Sequence, residues 1–145
     1  MHPRIVTLLA VTALLTTVAA CQTAPEIEPN VEEVANHPGV FEGQTLTVTG
    51  EVDDIYHSRA FELQSDDDPF EIWEESVLVL SPTPIEMLGE PLEDDDKMLV
   101  RGRVEQFVVA DIERELGWDL SPELEVEFEN VPVIIADGVV RVKAN

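Results

Sequence analysis

Gln44-Thr-Leu-Thr-Val-Thr-Gly-Glu-Val52 alternates apolar and polar positions along its whole length. Leu46, Val48, Gly50 and Val52 fall on one side, and Thr45, Thr47, Thr49 and Glu51 on the other. Successive side chains of a strand point to opposite faces, so this pattern predicts a half-buried strand. Met98-Leu-Val-Arg-Gly-Arg-Val104 repeats the spacing, with Met98, Val100, Gly102 and Val104 on one face. In both segments a glycine occupies an inward position mid-strand, which weakens a strand unless it must bend or another backbone must come close. Two strongly coiled strands with matching glycines predict a small closed barrel.

Working outward, Arg59–Gln64 repeats the alternation with Phe61 and Leu63 inward. Val77–Leu80 is an unbroken apolar run, the mark of a strand covered on both faces. Pro132–Ala136 and Val139–Lys143 supply a last β segment, interrupted at Asp137-Gly138. Between the fourth and fifth strands the period changes. Ile112 and Leu116 lie four apart in Val109–Leu116, and Gly117 stands where a helix stop belongs, with Trp118 placed to fold back onto Ile112. Ser121–Phe128 reads as a second helix started by Ser121-Pro122, although Leu124, Val126 and Phe128 also alternate as in a strand. Ahead of the barrel, Asn30 and Glu33 form a capping-box pattern for a short helix with Val31 and Val34 on one face, ended by His37-Pro38-Gly39.

The N-terminus reads as a targeting segment. His2 and Arg4 precede sixteen residues, Ile5–Ala20, with no charge and no breaker, the layout of a secretory signal. The run is shorter than the about 20 residues a permanent membrane helix needs. Val18-Ala19-Ala20-Cys21 resembles the bacterial lipobox, which implies cleavage after residue 20 and acylation of Cys21. An exported chain with a single cysteine cannot form an internal disulfide, and acylation gives that thiol a reason to exist. The expected organisation is therefore a signal peptide at 1–20, a lipidated N-terminus and proline-containing tether at 21–30, and one barrel domain at 31–145. The expected location is a membrane surface outside the cytoplasm, the outer membrane or cell surface if sorting follows Gln22.

Val34–Val52 resembles the opening of bacterial exported OB-fold domains: a short helix, Asn-Pro, an aromatic, a Gly-Lys or Gly-Gln pair, then Val-x-Val-x-Gly-x-Val. Here it reads Val-Ala-Asn-His-Pro-Gly-Val-Phe-Glu-Gly-Gln-Thr-Leu-Thr-Val-Thr-Gly-Glu-Val. Residues 31–142 are also similar to OB-like bacterial envelope lipoproteins that carry Val/Ala-x-Ile-Glu-Arg-Glu-x-Gly after the fourth strand, here Val109–Gly117. The resemblance implies a mainly β, five-stranded OB-like barrel with one or two short helices after the fourth strand. It departs from the usual OB order, in which the helix lies between the third and fourth strands.

Composition narrows the functions. The chain has 8 Lys and Arg against 31 Asp and Glu, and loss of Arg4 with the signal leaves 7 against 31, a formal −24. Such a charge repels nucleic acid, so no nucleic-acid partner is expected. His57-Ser58 cannot form a nucleophile–base pair on extended backbone, since neighbours point apart, and no enzyme activity is expected. Two histidines of the mature chain do not make a zinc site, and no cofactor is expected. The expected role is a binding module for an envelope protein, a glycan or a small polar molecule. OB barrels present ligands on strands two and three and the adjoining loops, where Tyr56, His57, Arg59 and Trp73 are the polar-aromatic candidates. The alternative is weak calcium binding by the hard oxygens of Asp66, Asp67 and Asp68 or of Asp94, Asp95 and Asp96.

Overall fold

The structure is a computed structural model and describes residues 27–65, 75–85 and 90–143. It opens on Ile27, whose carbonyl accepts the Thr47 N–H at 2.9 Å, and on Asn30 at the head of α1 (Val31–Asn36). The Asn30 side chain accepts the Glu33 N–H at 2.7 Å, and the Glu33 carboxylate accepts the Asn30 N–H at 3.3 Å. Two donors that a helix leaves orphaned are thereby satisfied. Val31 and Val34 are fully buried. His37-Pro38-Gly39 ends this helix and begins another: Pro38 sits in the first turn of α2 (Pro38–Phe41), where its missing N–H costs nothing.

Five strands follow: β1 (Thr45–His57), β2 (Ala60–Gln64), β3 (Ser76–Leu80), β4 (Lys97–Gln106) and β5 (Pro132–Arg141). They close a barrel in the order β1-β2-β3-β5-β4, with β4 returning to β1. Every pairing is antiparallel except β3 with β5. With short helices after β4, this is an OB-like barrel. Among the described residues joining β3 to β4, none is helical.

β1 is long because it serves two partners. Thr45–Glu51 pairs with β4, and Glu51–His57 pairs with β2. Gly50 lies at the exchange. A Cβ there would overlap the Gln64 carbonyl and stand 2.9 Å from both Leu63 Cγ and Val31 Cγ2. Gly102 is equally hemmed in, with Ile135 O at 2.5 Å and Ile134 Cγ2 at 2.7 Å from such an atom. Beside it, Gly102 pairs with Ala136 while Arg101 pairs with Gly138. Asp137 is thus the extra residue of a β-bulge. The interruption expected at Asp137-Gly138 is a bulge within one continuous strand, because the ladder to β4 runs past it on both sides.

Two apolar clusters divide the molecule. The barrel interior holds Leu46, Val48, Val52, Phe61, Leu63, Val77, Val79, Met98, Val100, Val104 and Ile134, with Val31 and Val34 of α1 packed against them. The second cluster lies outside the barrel wall. There α3 (Val109–Leu116) and α4 (Pro122–Glu127), with Leu120 between them and Phe128 just after, lay Ile112, Leu116, Leu120, Leu124 and Phe128 on Ala60, Leu78, Leu80, Val133 and Ile135. This explains the unbroken run of β3: Val77 and Val79 face the interior while Leu78 and Leu80 face the helices. Gly117 ends α3 in the left-handed region at φ 73°, which glycine adopts without a Cβ penalty. Ser121–Phe128 resolves in favour of a helix, with the Ser121 hydroxyl accepting the Leu124 N–H at 3.4 Å.

Candidate functional site

β1 ends and β2 begins across the tight turn Ser58-Arg59, which puts Tyr56, His57 and Arg59 at one rim of the barrel. The Arg59 N–H donates to His57 Nδ1 at 3.1 Å, so neutral imidazole carries its proton on Nε2. Burial, and then the Arg59 charge, hold His57 below the usual imidazole range. Its ring meets Trp118 edge-to-face with centroids 4.7 Å apart, and the Arg59 guanidinium stands 5.9 Å from the Trp118 centroid. The Trp118 indole N–H donates to the Ser81 carbonyl at 3.0 Å. Ser81 also lines a recess of about 200 Å³ with Pro82, Pro84, Ile85, Asp137 and Gly138. That is below the roughly 300–1,000 Å³ of drug-sized pockets and suits one side chain or a small polar group.

Tyr56 turns the other way. Its ring packs edge-to-face on Phe128 at 5.6 Å, and its hydroxyl donates to Glu62 at 2.6 Å. Glu62 is 9 % exposed and also accepts from the Ser76 hydroxyl. Burial, followed by the hydrogen bond and charge of Glu62, pushes the Tyr56 phenol well above its ordinary range. Tyr56 is therefore committed to the seam between barrel and helices, while His57 and Arg59 border solvent. Trp73, Cys21 and the Asp66-Asp67-Asp68 run lie outside the described residues.

Sequence reasoning read Trp118 only as the partner of a helix stop. The structure makes it the aromatic of the rim, joined to His57 and Arg59 from the far end of α3. The Asp94-Asp95-Asp96 run forms the turn before β4, with Asp95 at φ 66°. Asp96 accepts the Glu93 N–H at 2.9 Å and an Arg141 N–H at 2.6 Å. Among the described residues, no three His, Cys, Asp or Glu side chains converge as a metal site.

The surface on which OB barrels usually carry ligands, the outer face of β2 and β3, is occupied here by α3 and α4. Ala60, Leu78 and Leu80 are fully buried beneath them.

No protein-family model matches the chain, and no curated protein matches it. Solved structures do. A chain assigned as an aspartyl-tRNA synthetase from Leishmania major Friedlin aligns at TM-score 0.49 and 10 % identity, over 88 % of this chain and 23 % of that one. An asparaginyl-tRNA synthetase from Pyrococcus horikoshii, complexed with asparaginyl-adenylate, aligns at TM-score 0.40 and 10 % identity, over 73 % and 20 %. The chain thus spans less than a quarter of the length of either. These neighbours correct one expectation. Both are tRNA synthetases, so the exclusion of nucleic-acid partners drawn from charge and compartment does not stand.

Proposed function

We propose that the chain is a non-enzymatic binding module, held by acyl groups on Cys21 at a membrane surface outside the cytoplasm. Its OB-like barrel recognises a protein, a glycan or a small polar ligand through the rim of His57, Arg59 and Trp118. One observation carries the reading of the site: the outer face of β2 and β3 is filled by the chain's own helices. Recognition is thereby left to the rim, where the Arg59 guanidinium stands by the Trp118 indole and the indole is bonded to Ser81, one of the residues of the recess. Those groups suit polar or anionic ligand atoms and apolar rings, through hydrogen bonds and aromatic contacts. The anchor rests on the Val18-Ala19-Ala20-Cys21 motif and its sole cysteine. Several acyl chains hold a protein far more firmly than one.

Radiolabelled palmitate tests the anchor: native chain takes up label and Cys21→Ser does not. If Cys21→Ser still carries label and survives a carbonate wash in the membrane fraction, the lipoprotein reading is lost. The site is tested by pull-down from detergent-solubilised envelope with native chain and Arg59→Ser. A component kept by the native chain and lost by Arg59→Ser supports the rim, and equal capture by both removes it.

A further inference from the structure

We infer that the outer face of β1, β4 and the C-terminal end of β5 around Val140 lies against the head groups of the bilayer that carries the acyl anchor, with α3 and α4 turned away from it. This rests on the lipoprotein reading and adds an orientation to it.

The tether supplies the first argument. Between Cys21 and Ile27 there are six steps of chain, and a fully extended residue spans at most about 3.6 Å, so Ile27 stays within about 20 Å of the lipid attachment. Ile27 is already fixed on the barrel, bridged in parallel to Leu46 of β1. The face beside it belongs to β1 and β4. Thr47 and Thr49 of β1 and Lys97 and Leu99 of β4 line a recess of about 400 Å³ there, together with Glu28, Pro29 and Asn30.

Charge supplies the second. The mature chain has seven cations, and three of them (Lys97, Arg101 and Arg103) lie on β4, whereas Arg141, paired with the inward Met98, joins Asp96 and Glu90 at the end of the barrel. On β4, Met98, Val100, Gly102 and Val104 are buried, so Lys97, Leu99, Arg101 and Arg103 form the outward row. Carboxylates sit among them: Arg101 pairs with Asp137, and Arg103 with Glu105 and Glu115 at 2.6 Å each. Glu28 and Glu51 border the same face, so it is mildly anionic, and less so than the side of the helices. It is also mildly apolar, since the cross-strand pair Leu99 and Val140 is 37 % and 57 % exposed. A strongly anionic body tethered close to a phosphate-bearing surface gains most by turning its least anionic face toward it. The side covered by α3 and α4 carries Asp111, Glu113, Glu123, Glu125 and Glu127 against Arg114.

Single-thiol variants of the full lipidated chain test this, because acylation of Cys21 leaves the introduced cysteine as the sole free thiol. Leu99→Cys on β4 and Val126→Cys on α4, where Val126 is 79 % exposed, are reconstituted into phosphatidylcholine–phosphatidylglycerol vesicles. Each is treated with an impermeant maleimide and compared with the same protein in detergent. If the two orientations differ tenfold in population, the vesicle slows reaction at Leu99→Cys by about tenfold and leaves Val126→Cys unchanged. Salt at about 1 M, where the screening length falls to about 3 Å, weakens the difference. Equal protection at both sites, or protection at Val126→Cys alone, overturns the orientation while palmitate labelling leaves the anchor standing. Absence of palmitate from the native chain removes the anchor, and the orientation with it.

Discussion

The indole N–H of Trp118 donates to the carbonyl oxygen of Ser81 at 3.0 Å, fastening the end of α3 to the end of β3 across 37 positions of chain. The same ring supports His57 and lies beneath Arg59. One side chain therefore joins the helix layer to the rim.

Trp118→Phe keeps most of the apolar surface and removes the donor. Stability should fall by about 1 kcal/mol, the worth of one ordinary hydrogen bond, read as a lower urea midpoint. The His57 ring signals should shift by nuclear magnetic resonance as their edge-to-face partner changes. An unchanged midpoint would mean that Ser81 finds water in place of the indole.

Gly50 and Gly102 leave no room for a methyl group. Gly50→Ala or Gly102→Ala should each destabilise the barrel by roughly 1–3 kcal/mol through overpacking. Gly39→Ala is the control. Nothing lies within 4 Å of a Cβ at Gly39, so this change in α2 should be neutral or slightly favourable. Thermal melts that rank the three variants alike would contradict the close backbone approach.

Tyr56 is the only tyrosine, so tyrosinate absorbance reports on it alone. Its phenol is held above the ordinary range by burial and by Glu62, so the folded state keeps the proton more tightly than the unfolded state. The sign follows. This stability is complete below the unfolded phenol's value of about 10 and drains away as pH rises past it. Folded protein should show no tyrosinate at pH values where a free phenol is ionised, and the signal should appear only with unfolding. Tyr56→Phe leaves the buried Glu62 carboxylate short of a donor and should cost between about 1 and 3 kcal/mol.

The carboxylates of residues 22–145, with a formal −24, repel one another over a screening length of about 10 Å at 0.1 M salt and about 3 Å at 1 M. The thermal midpoint of residues 22–145 should therefore rise with sodium chloride. Calcium at equal ionic strength should add little, since Asp96 is already engaged by Arg141. A saturable rise specific to calcium, abolished by Asp94→Asn with Asp95→Asn, would promote cation binding by that loop.

Local order was written in short-range pattern. The period-two runs of β1 and β4, the Asn30–Glu33 box, the Gly117 stop and the two-sided burial of β3 each depend on residues a few positions apart. The barrel glycines were legible too, because an inward glycine in a strand has few reasons to exist. Which surfaces meet was not written there. The parallel pairing of β3 with β5, the packing of α3 and α4 over the outer face of β2 and β3, and the meeting of Trp118 with His57 all join distant segments. Such contacts are decided by which arrangement buries the most apolar surface with every backbone group paired. Periodicity states that a face is buried. Only the closed barrel determines what buries it, and here that choice moves the candidate site from the sheet to its rim.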